Sequence, residues 1–207
     1  FEVELVAAEP LVEEPVAMAW DEYGRLYVVE MRSYMLDAYG GGSDLPVGRV
    51  TRLEDTNGDG LMDTSEIFLG GLVNPRAVAV VNEGILVGEP PNLWLCELPT
   101  PNALCDNKRS IGSYGADAET ANVEHMENGL MQGLDNWLYN SKSSRSLRIK
   151  AGELVEREGF FRGQWGITKD NFGRLLYNHN STWLQADFFA AEDLVQPREQ
   201  TYPEGLG

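Results

Sequence analysis

The stretch Ala17-Met18-Ala19-Trp20-Asp21-Glu22-Tyr23-Gly24-Arg25-Leu26-Tyr27-Val28-Val29-Glu30 decides the fold. An apolar run, a short polar turn containing glycine and a second apolar run spell a β-hairpin. Glycine supplies the turn backbone, and β-branched and aromatic residues suit a pleated, half-buried surface. The same spelling returns as Ala77-Val78-Ala79-Val80-Val81-Asn82-Glu83-Gly84-Ile85-Leu86-Val87-Gly88-Glu89. It returns again from Gly129-Leu130-Met131 to Trp137-Leu138-Tyr139, and from Gly166-Ile167-Thr168 to Leu175-Leu176-Tyr177.

The equivalent leucines, Leu26, Leu86, Leu138 and Leu175, stand 60, 52 and 37 residues apart. That matches the roughly 40 to 50 residues of a four-stranded propeller blade plus insertions. Further strands are expected at Gly48 to Leu53, Leu93 to Leu98 and Ser146 to Ile149, each with half-buried alternation. The expectation is an all-β chain of the β-propeller type, with each repeat an inner hairpin and about four blades visible. A β-sandwich with look-alike turns is the competing architecture. After Gln185 no further copy of the pattern follows, so residues 1–207 read as one propeller domain, incomplete if the parent ring has six blades.

Composition agrees with a globular chain of many short strands. Of 207 residues, 43% are hydrophobic, and 22 glycines and 10 prolines punctuate the apolar runs. With 33 acidic against 16 basic residues the net charge is -17, which repels nucleic acid and anionic lipid surfaces. No apolar run approaches the roughly 20 residues that cross a bilayer, so no membrane span is expected. The chain opens on Phe1 rather than methionine, which reads as a processed product. Cys96 and Cys105 are the two cysteines, in a proline-bearing loop that suits a local disulfide if the compartment is periplasmic or extracellular, as expected; two reduced, unrelated thiols are the alternative.

The sharpest local motif is Asp55-Thr56-Asn57-Gly58-Asp59-Gly60-Leu61-Met62-Asp63-Thr64-Ser65-Glu66. Its spacing matches a twelve-residue calcium loop, with oxygens from Asp55, Asn57, Asp59, the Leu61 carbonyl, Asp63 and Glu66. The flanking runs read as strands, so the loop bridges strands and lacks the helix pair of a calcium sensor; an acidic β-turn that binds no metal is the alternative.

Polar residues recur at the starts of the inner hairpins. His125, in Glu124-His125-Met126-Glu127-Asn128, precedes the third copy and is a candidate general base that Glu124 or Glu127 would orient. Arg76 precedes the second copy, and Arg162-Gly163-Gln164-Trp165 precedes the fourth. Either arginine could clamp an anion. A structural role, solvated or ion-paired, is the alternative for all three. Asn178-His179-Asn180 either lines the same region or caps a turn. No nucleophile elbow, phosphate loop or dinucleotide fingerprint is present.

Taken together, Pro15 to Asp21, Arg52 to Gly60 and Asn128 to Tyr139 resemble the bacterial membrane-bound-dehydrogenase-like propellers. That family is similar to the soluble quinoprotein glucose and sorbosone dehydrogenases. The resemblance implies a six-bladed propeller holding pyrroloquinoline quinone (PQQ) at the mouth of its axis, exported, and often joined to a c-type cytochrome domain. It implies His125 as the base taking a proton from a sugar or alcohol hydroxyl, and Arg162, or alternatively Arg76, as the group stabilising charge on the quinone oxygen. Arg76, Asn128 and Gln164 would be cofactor contacts. The sequence departs from the family where Arg162-Gly163 stands in place of Arg-Asn. Two readings follow: a quinoprotein dehydrogenase passing electrons to a haem partner, or a catalytically silent propeller serving as a binding or scaffold subunit. Whether the three charged residues meet at an open cavity or are paired internally discriminates between them.

Overall fold

The computed structural model describes residues 2–115 and 122–188, so the tail beyond Phe188, where the repeat pattern stops, lies outside the described residues. The chain divides into two compact units, Phe1–Val123 and Glu124–Gly207.

In the first unit β1 (Pro15–Trp20), β2 (Leu26–Glu30), β3 (Gly48–Glu54) and β4 (Thr64–Leu72) form an antiparallel meander. A second meander runs through β5 (Ala77–Val81), β6 (Gly84–Glu89), β7 (Asn92–Cys96) and β8 (Lys108–Ser113). The predicted hairpins are β1–β2 and β5–β6, with Trp20 opposite Leu26 and Val81 opposite Gly84.

Strand β2 is buried along its whole length because it serves two cores. Tyr27 and Val29 face Val50, Phe68, Val78, Ile85 and Val87, the layer between the two sheets. Leu26 and Val28 face Val12, Leu53 and Met62 on the opposite side. Side chains of this size contribute roughly 1.5 to 3 kcal/mol each when fully buried. The Tyr27 and Phe68 rings meet edge to face at 5.0 Å, the arrangement their quadrupoles favour.

The second unit repeats the plan. Strands β9 (Asn128–Gln132), β10 (Leu138–Ser141), β11 (Ser143–Lys150) and β12 (Glu153–Arg162) form one meander. Strands β13 (Ile167–Lys169), β14 (Leu175–His179) and β15 (Thr182–Ala186) form another. Among the described residues the only helical element is a short 3-10 turn, Val123–His125. Among the described residues no helix is long and apolar enough to cross a membrane.

One turn device recurs. Asp21 accepts the backbone N–H groups of Tyr23 and Arg25 at 2.9 Å and pairs with the Arg25 guanidinium. Asp170 does the same with Phe172 and Arg174, at 2.9 Å throughout. Gly24 and Gly173, at φ +77° and +84°, supply the left-handed position each turn needs.

Three strands escape the hydrophobic pattern, among them β8, which opens on the polar run Lys108-Arg109-Ser110. The expected Ser146 to Ile149 strand extends to Ser143–Lys150 and turns back into β12, where Glu153, Glu156, Arg157, Glu158 and Arg162 break up any apolar alternation. Strand β15 was hidden for a similar reason: Trp183 and Leu184 are both exposed rather than alternating.

Candidate functional site

The connection from β12 to β13, residues 162–166, organises one end of the second unit. Gly163 and Gly166 adopt positive φ, and a Cβ at Gly163 would come within 2.8 Å of the Ser141 hydroxyl oxygen. The segment is bound on all sides. Lys142 N–H donates to the Arg162 carbonyl at 2.7 Å, Gln164 N–H to the Asn178 carbonyl at 2.8 Å, and Ser141 Oγ to the Gly166 carbonyl at 3.0 Å.

Asn128 and Gln164, expected as cofactor contacts, are part of this fastening. The Asn128 amide donates to the carbonyls of Gln164 at 2.8 Å and Met126 at 3.2 Å. The Gln164 side-chain oxygen accepts from Lys142 Nζ at 3.3 Å. Both side chains are buried.

Arg162 is buried and spends its guanidinium on protein. Nε and Nη2 donate to Asp187 Oδ2 at 2.9 and 2.6 Å, and Nη1 donates to the Phe160 carbonyl at 3.2 Å. Beside the pair, burial and then the Asp187 charge push the Tyr177 phenol up to about 12.

His125 sits exposed on the 3-10 turn and makes no hydrogen bond among the described residues. Trp165 Nε1 donates to the Glu124 carbonyl at 3.1 Å, placing an indole next to this turn. Glu127 does not orient the imidazole, because its carboxylate is held by Arg145 through contacts of 2.7 and 3.2 Å. His179 joins an aromatic cluster with Phe161 at 6.5 Å and Tyr177 at 6.4 Å, and Lys142 lies over the Phe161 ring.

In the first unit Arg76 is 1% exposed. Its Nη1 donates to the Val123 carbonyl at 2.6 Å and its Nε to the Asn74 carbonyl at 3.3 Å. Burial pulls its pKa down to about 10. Sequence reasoning missed two buried carboxylates nearby in the fold plan. Glu30 accepts from Thr51, from Arg49 at 3.0 Å and from Arg32 at 3.3 Å. Glu89 accepts from Val73 N–H at 2.7 Å, Trp94 Nε1 at 2.6 Å and Lys108 at 3.3 Å. The available signal was a lone acid closing an apolar strand in two copies of the repeat.

The Asp55 loop joins β3 to β4, as its flanks indicated. Asp55 oxygens accept from Gly60 N–H at 2.8 Å and Gly58 N–H at 2.7 Å, and these bonds, Gly60 first, hold its pKa below the ordinary value. Asn57 and Asp59 accept from the backbone two residues on, and Asp63 accepts from Thr56. Glu66 stands apart from this set. It lies in β4 opposite Arg52 and binds that guanidinium at 2.6 Å. Among the described residues no group of three or more His, Cys, Asp or Glu side chains converges as a metal site.

Cys96 and Cys105 form the expected disulfide, with Cα atoms 5.4 Å apart. The loop it closes rests on two arginines of the first sheet. Arg25 donates to the Pro101 carbonyl at 2.5 Å and to the Asn102 side chain at 3.1 Å. Arg52 donates to the carbonyls of Ala103 and Asn102 at 3.2 and 3.3 Å.

Among solved structures the chain is similar to a protein assigned as a gluconolactonase, at 18% identity and a TM-score of 0.52 over 83% of this chain. It is also similar to a luciferin-regenerating enzyme (13% identity, TM-score 0.47, 91% of this chain and 57% of that one). A virginiamycin B lyase from Staphylococcus aureus is a further match (13% identity, TM-score 0.39, 84% of this chain and 69% of that one). The likeness to the first shows the β-propeller fold, in keeping with the meanders of both units. This chain spans 57% of that protein's length. No curated protein matches. A family model described as a domain of unknown function (DUF7133) matches residues 1–205, and the chain belongs to that family.

Proposed function

We propose that this chain is an extracytoplasmic propeller module that works by binding, as a ligand-holding or scaffold part of a larger assembly, and that its Asp55 loop takes calcium. The observation that carries the reading is the engagement of Arg162. Swinging its guanidinium onto a quinone oxygen would leave Asp187 unpaired in a buried setting, a cost of about 3 to 5 kcal/mol. Arg76, Asn128 and Gln164 are likewise committed to neighbouring protein groups, so these residues do not fit a PQQ site as they stand. The acidic balance suits a partner with a basic face.

For calcium the donor chemistry fits. Asp55, Asn57, Asp59 and Asp63 are hard oxygen donors on one exposed loop, and the Leu61 carbonyl has the spacing of a further ligand. The ion would stiffen the β3–β4 connection. Glu66, held by Arg52, would stay outside the set.

One observation favours the second reading, a sugar or alcohol dehydrogenase with a c-type cytochrome partner. His125 is exposed, and its imidazole makes no hydrogen bond to protein among the described residues, so a substrate hydroxyl could reach it. Calorimetric titration of the chain with PQQ, calcium present throughout, separates the two. The binding reading expects no saturable uptake. Uptake that is lost in both His125→Ala and Arg162→Ala variants, each shown to be folded, overturns it.

A further inference from the structure

We infer that the cleft at the turn end of the first unit binds a small neutral polyol, about the size of one monosaccharide. The cleft, about 220 Å3, lies between the β1–β2 turn, the β5–β6 turn and the disulfide-closed loop after β7. Asp21, Arg25, Tyr27, Asn82 and Thr100 supply its polar lining, and Pro99 forms part of its wall.

Tyr27 points to a ligand. Its side chain is fully buried, it lines the cleft, and its hydroxyl has no hydrogen-bond partner among the described residues. Burial raises its pKa, with Arg25 and Arg52 pulling the other way; the Arg52 guanidinium is near enough to act on the hydroxyl yet does not meet it in hydrogen-bond geometry. Both are occupied elsewhere, Arg25 by Asp21 and Pro101, Arg52 by Glu66 and the Asn102 carbonyl. A buried hydroxyl left without a partner is unfavourable, and an incoming hydroxyl group removes that penalty.

Charge selects the class of ligand. Asp21 and Arg25 neutralise each other at 2.6 Å across the floor of the cleft. Glu22 and Glu83, also in the lining, oppose an anion, while the Asp21–Arg25 pair adds no net charge. What remains is an acidic lining that excludes an anion, with a mixed array of donors and acceptors in Tyr27, Asn82 and Thr100 that suits hydroxyl groups. Tyr23, stacked 5.0 Å from Arg25 and largely exposed, offers a ring face to the C–H side of a sugar. The wall is set before a ligand arrives, because the disulfide and the Arg25 bond to the Pro101 carbonyl fix the loop.

The test is titration of the full chain with D-glucose, D-galactose and glycerol, followed by ligand-observed NMR and calorimetry, against Tyr27→Phe and Thr100→Val. Tyr27→Phe keeps the ring on Phe68 and removes only the unpartnered oxygen, so its melting temperature should be unchanged or raised. Saturable binding of at least one probe, weakened about tenfold or more by Tyr27→Phe, is the expected result. Binding of none of the three to the folded chain, with water alone filling the cleft, overturns the inference. So does binding that Tyr27→Phe leaves intact.

Discussion

Arg162 and Asp187 share a 2.6 Å ion pair whose side chains are only 4% and 14% exposed. The pair ties the end of β12 to the residue that follows β15, fastening the two sheets of the second unit at one point. Arg162→Ala should therefore cost about 3 to 5 kcal/mol, because it strands a buried carboxylate. Replacing both partners together, as Arg162→Met with Asp187→Leu, should cost far less. Urea unfolding of the three proteins checks this, and an unchanged Arg162→Ala midpoint would remove the structural role assigned to the arginine.

Tyr177 beside that pair carries a pH signature. Its folded pKa is raised to about 12 from an ordinary 10.0. Stability from keeping the phenol protonated is complete below 10 and is lost as pH rises through about 12. Melting curves across the alkaline range should fall more steeply for the parent chain than for Tyr177→Phe.

The Asp55 carboxyl shows the opposite sign. Its folded pKa lies below the ordinary 3.8, chiefly through the Gly60 N–H. Its contribution is present above 3.8 and is lost as pH falls through the lower folded value. Under the calcium proposal, a chelator should lower the melting temperature at neutral pH. Asp55→Ala should weaken calcium affinity about tenfold or more, and Glu66→Ala should change it little. Calorimetry with calcium reads both variants, and equal losses would return Glu66 to the ligand set.

Reduction of the Cys96–Cys105 bridge should cost about 2 to 3 kcal/mol, the loop-closure entropy of so short a ring. It should also loosen the loop that Arg25 and Arg52 hold. Thermal melts with and without reductant, together with hydrogen exchange at Ala103 and Cys105, measure the two effects.

Gly84→Ala should destabilise by about 2 to 3 kcal/mol. Gly84 has φ +139°, and a Cβ there would strike the Cys96 carbonyl oxygen, a backbone atom that cannot swing aside. Chemical denaturation detects the loss, and an unchanged midpoint would mean that β6 and β7 can separate at this turn.

The hairpins at Ala17 to Glu30, Ala77 to Glu89, Gly129 to Tyr139 and Gly166 to Tyr177 were legible because hairpin formation is local. The turn residues and the two-residue period sit within a dozen positions of one another. The disulfide was legible for the same reason. Strands β8, β12 and β15 were not, since the first two carry charge and the third exposes Trp183 and Leu184 side by side where an apolar alternation was sought. Their place comes from pairing with β7, β11 and β14.

The sequence by itself therefore determined an all-β repeat, its turns and its one covalent bridge. The tertiary structure alone decided what the charged residues do. Arg162 meets Asp187 across 25 positions, Arg76 meets the Val123 carbonyl across 47, and Glu66 meets Arg52 across a strand pair rather than the Asp55 loop. A guanidinium or carboxylate has the same local spelling whether it faces a ligand or a counter-charge. Only the packing that removes it from water selects the partner, because a buried charge must be matched wherever the fold has placed its complement.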